Sequence, residues 1–517
     1  MRVIYSTCLA DPWVKVAQKL KADYGFEPVY WNGYANLDDS RQLVSAAFPN
    51  AIYHDSMDAC KGIFPNEIAT RFPEAHIPIN FLRKYSNFEL QAIKMMDRMD
   101  PDQYSFNFME RQRHFRNLVK YWTACINFLK PDLFVSDNVP HMVFDHVLYL
   151  LCNFHRIQFI TFRGSPFLGR FIPLTDVFSI GNLLDAEYAA AQNSGASNDE
   201  LKKNLPQEIL SAYEKARLDY STAEPDTMRK NRIEHRKSTS LLLLAKKFFF
   251  DMHRYRDKYF GRDGFFQKGM PTFSKQRNRS IETSRMTVLR YMGLKVKANA
   301  HRGRLKNYYE SLAVMPDFDV PYLIFNLHYQ PESSTSPAGD IYVDQRICVD
   351  VLARHLPADY WIYVKEHRSQ FYSQFIGETG RIPHFYDDIK SYPRVRLMPM
   401  NADPFELMAH AKAVVTVTGT SGWEAMVRGK PVICFGLSWY EKFEGVLRIV
   451  DEESAARIAS FIEGYSYNER GLLAYLSAYG KQSVRAYAHR GYKEEMEQDE
   501  NECVSVLAAC IQRTVCK

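Results

Sequence analysis

The densest chemistry in the chain stands in VVTVTGTSGWEAMVRGKPVICFG, Val414 to Gly436, which reads as strand, polar turn, helix, basic turn and strand. Gly419 and Gly422 permit close backbone approach, and Thr420 and Ser421 are placed to cap the helix. The free N–H groups of that helix's first turn attract an anion, so a phosphate fits there. Glu424, in the same turn, is a carboxylate able to hold the sugar hydroxyls of a nucleotide. Its plainer role is a helix-dipole partner, worth about 0.3–1 kcal/mol.

A second loop, YVKEHR, delivers Glu366 and His367 beyond a strand that ends at Lys365. An imidazole there can donate to a phosphate or a departing nucleotide, and the lysine adds a positive charge. A lone histidine after a strand is otherwise structural. A third loop, LHYQPESST, brings Gln330 and Glu332, and a fourth, GLSWYEKFEG, follows another strand. In the first half of the chain, VSDNVPH places Asp137 and His141 just past a strand, and FRGSP adds Arg163, suited to a carboxylate or phosphate. Asp137 reads equally well as an Asx-turn closing its strand.

These loops matter because ligands of open parallel sheets sit beyond the carboxyl ends of the strands. Two regions carry the required alternation of short β-branched or aromatic runs with amphipathic helices. In the first, RVIYST is a strand, DPWVKVAQKLKADYG a helix opened by Asp11 and Pro12 and stopped by Gly25, and FEPVYW a strand. PDLFVSD, MVFDHVLYLLCNFHRI and QFITFRG continue the pattern as strand, helix and strand, and residues 50–130 between them read as mainly helical. The second region runs from VPYLIFN through DQRICVDVLARHLP, DYWIYVK, RVRLMPM and DPFELMAHAK to KPVICFG. The expected division is a Rossmann-like unit over 1–180, a basic, mainly helical segment over 181–315, a second Rossmann-like unit over 316–450 and helices over 451–517. Two such units facing each other across a cleft form an α/β fold of the GT-B type.

At 517 residues the chain exceeds one hydrophobic core, and 46% hydrophobic with 24% charged residues is an ordinary globular composition. Aromatic residues reach 14%, which suits either ring-binding clefts or large aromatic cores. The nine cysteines are scattered without CxxC pairs or zinc-site spacing and read as reduced thiols. No metal site or cofactor is expected. The N-terminus lacks a long apolar stretch, and the most apolar window, LLLLAKKFFF, is split by two lysines, so the expected location is the cytoplasm. The net charge of +6 hides 22 Lys and Arg against 5 Asp and Glu between Arg229 and Lys306, leaving −11 for the remainder. Without a nucleic-acid-binding signature, that mixture of bases with Leu, Phe and Tyr points to peripheral contact with an anionic membrane face or an anionic glycan. A merely solvated helical face is the plain alternative.

Taken together and in order, LHYQPESSTSP, VKEHR and TGTSGWEAMVRGKPVICFG resemble the C-terminal half of bacterial capsule and surface polysaccharide biosynthesis proteins, related to retaining Kdo transferases. They are more distantly similar to polysialyltransferases and CDP-glycerol glycerophosphotransferases. The resemblance covers Tyr322 to Val450. It implies a GT-B glycosyltransferase with a nucleotide-sugar donor, commonly a CMP-sugar such as CMP-Kdo, and the family's HP and Ser/Thr motifs fall on His367 and on Thr420 with Ser421. The loops themselves add Gly422, Glu424, Lys365, Glu366, Gln330 and Arg163 as expected substrate contacts, the acceptor being a glycan or glycolipid, and the lack of a DxD cluster at the phosphate loops agrees with metal-independent transfer. The chain departs from the family where Arg368 replaces the HP proline. Asp137, Glu332 and His141 are the catalytic candidates, because glycosyl transfer needs a carboxylate or imidazole near the anomeric carbon. A CDP-alditol phosphotransferase, a nucleotide-sugar 2-epimerase and a non-catalytic export partner remain as alternatives.

Overall fold

The computed structural model describes residues 1–34, 40–98, 100, 106–218, 288–372, 375–488, 493–496 and 498–516. Most of the basic stretch therefore lies outside the described residues. Two sheets organise the rest. The first contains β1 (Arg2–Ser6), β2 (Glu27–Gly33), β3 (Ile52–Asp55), β4 (Leu133–Ser136), β5 (Gln158–Gly164) and β6 (Arg170–Leu174). The second contains β7 (Tyr322–Asn326), β8 (Trp361–Lys365), β9 (Val395–Met398), β10 (Ala413–Thr416), β11 (Val432–Cys434) and β12 (Val446–Arg448). A late strand, β13 (Val484–Arg485), completes the first sheet.

Both sheets are wound outward in two directions from their first strand. The second runs β12-β11-β10-β7-β8-β9 with every pair parallel. The first runs β13-β6-β5-β4-β1-β2-β3, with β6 and β13 antiparallel at its edge. Such an order reverses direction at one place in each sheet, between β1 and β4 and between β7 and β10. There the crossover helices part and leave a crevice. The fold is thus two Rossmann-like α/β units; β3 and β13 stand where the sequence suggested helix, and β6 and β12 in stretches to which it assigned no element.

Because both faces of these sheets are covered, the strands are apolar runs rather than alternating ones. Val414 and Ile324 point to one side and Val415 and Phe325 to the other, all buried. Tyr322 and Tyr363 stack across β7 and β8 with ring centroids 4.2 Å apart. The helix Ala10–Tyr24 ends at Gly25, whose φ of 69° is the left-handed conformation glycine adopts without strain. Beyond β12 the helix Glu469–Gln482 packs on the second unit, and the chain then returns. The last helix, Glu500–Val515, lies on Ala10–Tyr24, and Trp13 Nε1 donates to Ala488 O at 2.9 Å.

The carboxyl edges of the two sheets face each other. Gln91 and Arg98 of the first unit donate to the carbonyls of Pro337 and Ser336 in the second, at 3.1 and 2.8 Å. All nine cysteines are free, eight of them buried. No helix among the described residues is long and apolar enough to cross a membrane.

Candidate functional site

The crevice of the second sheet is built around His328, which follows β7 two residues after Asn326. Its amide donates to Gln345 Oε1 at 2.7 Å and its carbonyl accepts from Arg381 Nη2 at 3.0 Å, so the backbone is held from both sides. The ring Nε2 takes hydrogen bonds from the amides of Val417 and Thr418, each at 3.2 Å, and lies 3.0 Å from the Thr416 hydroxyl. Two amide donors on one ring nitrogen require its lone pair, so the proton sits on Nδ1. Burial, followed by His367 and Arg381 nearby, pushes this imidazole down to about 3. It is neutral at physiological pH.

His367 stands beside it at the end of β8, opening the short helix Arg368–Phe371. Its Nδ1 accepts from Ser369 N at 3.2 Å, which leaves the proton on Nε2. Burial holds it down to about 4, against the pull of Glu366. β7 lies between β8 and β10, and strands are spaced about 4.8 Å apart. The His367 and Thr420 loops therefore flank His328 rather than touching directly.

The other residues of the His367 loop turn inward. Glu366 forms a bidentate pair with Arg381, Nε–Oε2 and Nη2–Oε1 both 2.8 Å, and both side chains are fully buried. Tyr386 donates to Glu366 at 2.7 Å, and Arg381 Nη1 donates to Gln330 Oε1 at 2.7 Å. Lys365 Nζ donates to the carbonyls of Pro399 and Met400, at 2.7 and 3.2 Å, and burial lowers it to about 8. Glu366, Gln330 and Lys365 were expected to meet substrate. They are instead the internal ties that hold three post-strand loops in register, because charges this deeply buried are stable only when paired.

On the far side of His328, the helix Thr420–Val427 begins. Gly419 is its N-cap, without a side-chain hydrogen bond, and Thr416 Oγ1 accepts from Gly419 N at 2.9 Å. Thr420 and Ser421 thus occupy the first helical positions instead of capping. Thr420 is exposed and Ser421 half-buried, and among the described residues neither their amides nor their hydroxyls have a partner. The two glycines serve the chain itself. A Cβ on Gly422 would lie 2.3 Å from the Tyr440 hydroxyl, which donates to Gly419 O, and one on Gly419 would lie 3.2 Å from His328 Nε2. Glu424, 9% exposed, has a carboxylate with no hydrogen bond among the described residues, and burial, opposed by Arg428, pushes it up to about 7.

In the first unit, Asp137 sits at the β1/β4 crevice, buried, accepting from the Thr7 hydroxyl at 2.6 Å. Thr7 adopts φ 59° just after β1, which turns its side chain toward β4. His141 follows in the same loop, with Nδ1 2.7 Å from Val139 O and its amide donating to Asp145. Its carbonyl accepts from Arg98. Glu332 belongs to a small cavity between the units, shared with Lys94, Arg98, Gln330, Thr335 and Ser336. Ser334 donates to it at 2.6 Å, and burial raises its carboxyl. Arg163 bridges the units, donating to Leu437 O at 2.6 Å, beside Glu441. The structure therefore brings His328, His367, Thr420 and Ser421 to one crevice and Asp137 to the opposite one.

Two central residues were not singled out by the sequence. His328 had a signal, its place directly after the first strand of the second unit, next to the reversal point. Arg381 had none, since it lies in an irregular segment far from its partners in the chain. Among the described residues no group of three or more His, Cys, Asp or Glu side chains is placed to hold a metal ion.

Residues 334–456 match the family model of capsule polysaccharide biosynthesis proteins. That match covers the His367 and Thr420 loops. No curated protein matches the chain. Among solved structures, it is similar to the KpsC β-Kdo 2,7 transferase of Thermosulfurimonas dismutans, at 10% identity and TM-score 0.28 over 75% of this chain and 89% of that one. The β-Kdo 2,4 transferase of the same organism's KpsC aligns at 13% identity and TM-score 0.28, over 69% of this chain and 81% of the other. The UDP-GlcNAc 2-epimerase of Methanocaldococcus jannaschii, in complex with UDP-GlcNAc and UDP, aligns at 12% identity and TM-score 0.23, over 90% and 94%.

Proposed function

We propose that the protein is a glycosyltransferase that moves a sugar from a nucleotide-activated donor, a CMP-sugar such as CMP-Kdo, onto a capsular or surface glycan. The observation that carries this is the placing of His367 and the open first turn of Thr420–Val427 on either side of His328 at the crevice of one sheet, facing the Asp137 crevice of the other. The capsule-family match over 334–456 supports the pathway class.

The donor phosphate sits on the free amides and hydroxyls of Thr420 and Ser421, with His367 Nε2–H on its other flank. Glu424 takes hydroxyls of the nucleotide sugar. Lys365 and Arg381 are occupied inside the protein, while Arg368, exposed beside His367, adds a positive charge at the crevice. As the bond from the anomeric carbon to the phosphate oxygen breaks, its electron pair leaves with the nucleotide, and hydrogen bonds from the crevice stabilise the growing charge. Asp137 acts at the sugar carbon, either taking the acceptor hydroxyl's proton or attacking as a nucleophile, and Glu332 is its rival for that role. Transfer proceeds without a metal. The basic segment holds the anionic acceptor or the inner membrane face that displays it.

The test is incubation with radiolabelled CMP-Kdo, UDP-sugars and CDP-glycerol together with a capsular oligosaccharide acceptor. Label should pass from CMP-Kdo to the acceptor, and Asp137→Ala should lower the rate at least about a hundredfold. Transfer from CDP-glycerol, or conversion of a UDP-sugar without acceptor, would replace the proposal with a phosphotransferase or an epimerase.

A further inference from the structure

His54 braces its loop with both ring nitrogens satisfied inside the fold, by Tyr30 Oη at 2.6 Å and Ile63 O at 2.8 Å. His328 differs. Its Nε2 is bound to the 416–418 loop, while Nδ1, which bears the proton, has no partner among the described residues. The unpaired Nε2 of His114 is sealed in the core, whereas His328 Nδ1 is not among the sealed atoms, although the residue is only 8% exposed. The ring lies against the helix entrance, since a Cβ on Gly419 would come within 3.2 Å of its Cε1, the carbon joined to Nδ1. His367, on the other side, is close enough to hold down His328's protonation. Its Nε2–H is also unpartnered among the described residues.

We propose that His328 is a direct ligand contact: fixed in the Nδ1–H tautomer by the 416–418 loop, it donates to a phosphoryl oxygen of the bound nucleotide, between His367 Nε2–H and the amides of Thr420 and Ser421. The two histidines thus present opposite tautomers to one anion. Each is set by a backbone amide accepted on the other ring nitrogen. This rests on the nucleotide reading above and adds the residue that stands at its centre. A side chain at Gly419 would press on Thr416 Oγ1, 2.8 Å from its Cβ, and on the His328 ring, 3.2 Å away, so glycine keeps both where the loop holds them.

The experiment separates the two nitrogens. In His328→Gln, the side-chain oxygen reaches the position of Nε2 and still accepts from the loop, but nothing replaces Nδ1–H. CMP and inorganic phosphate are titrated by calorimetry into the wild-type protein and this variant, alongside thermal unfolding of each. The variant should keep its midpoint within about 3 °C and bind CMP about tenfold or more weakly. Two-bond 1H–15N spectra of 15N-histidine-labelled wild type, with His328 assigned by its loss in the variant or in His328→Ala, should show Nδ1 protonated and its signal moving on CMP addition. Unchanged CMP affinity in the variant, a proton on Nε2, or a signal indifferent to CMP overturns the role of His328 and leaves the nucleotide reading intact. Failure of the wild-type protein to bind CMP overturns both. If the variant does not fold, the wild-type tautomer and its response to CMP decide.

Discussion

Glu366 shows how the meaning of a residue depends on which way its strand turns. KEHR has the composition of an exposed charged loop, yet the glutamate alternates onto the covered face, where Arg381, Tyr386 and its neighbour's amide occupy its oxygens. Removing one member of such a pair leaves a charge stranded in a medium that solvates it poorly, at a cost of about 3–5 kcal/mol. Glu366→Gln and Arg381→Met should each lower unfolding stability by about that amount in urea titrations. Because Arg381 also carries His328 O and Gln330 Oε1, its loss should weaken CMP binding in protein that remains folded. Full retention of stability in both variants would show that the pair does not anchor the loops.

At the level of elements, the turn between β10 and the helix Thr420–Val427 is shaped from within. Its glycines admit the Tyr440 ring and the His328 imidazole instead of a ligand's backbone contact. That leaves the amides and hydroxyls of Thr420 and Ser421 without a partner among the described residues. Gly422→Ala would place a methyl 2.3 Å from the Tyr440 hydroxyl and 2.6 Å from the ring carbon bearing it, and an aromatic ring packed among Trp439 and its neighbours has little room to retreat. The expected loss is about 1–3 kcal/mol, read as a lowered thermal midpoint. Tyr440→Ala in the same chain should relieve the clash, so the double variant should lose less than the sum of the two single ones. Strict additivity would place the cause elsewhere.

Across the whole molecule, burial sets the response to acid. His54, His114 and His367 are lowered to about 4, and His146 and His328 to about 3, desolvation being the leading cause in each. The unfolded chain takes up these protons near pH 6.5 while the folded chain refuses them, so stability is intact above that pH and falls as pH drops toward 4. Asp145 and Glu424, raised to about 7 by burial, act in the opposite sense, since the folded state holds their protons more tightly below pH 7. Burial also raises Asp58, Glu332, Asp340 and Glu441, and the five imidazoles are expected to outweigh all of these carboxyls. The thermal midpoint should be flat from pH 8 to about 7 and decline below 6.5. A midpoint that rises between pH 7 and 5 would mean the carboxyls dominate. The units are joined by Arg98, Gln91 and Arg163, which donate across to the second unit, and the helix Glu500–Val515 packs back on the first.

The pattern of apolar runs and helical periods was enough to recover two parallel-sheet units, the mainly helical stretch ahead of β4, and the loops after β4, β7, β8 and β10 as the places where polar residues gather. Those are local signals, set by strand period, capping and turn residues. It also carried the motif resemblance that the match over 334–456 repeats. It did not contain strand order. Only the folded chain puts β7 between β8 and β10, and that insertion makes His328 the centre of the crevice while Thr420 and His367 become its flanks. Nor could a one-dimensional reading separate Glu366 and Lys365, which turn into the protein, from His367, which does not. That separation depends on partners such as Arg381 and Pro399, whose positions are decided by packing and not by distance along the chain.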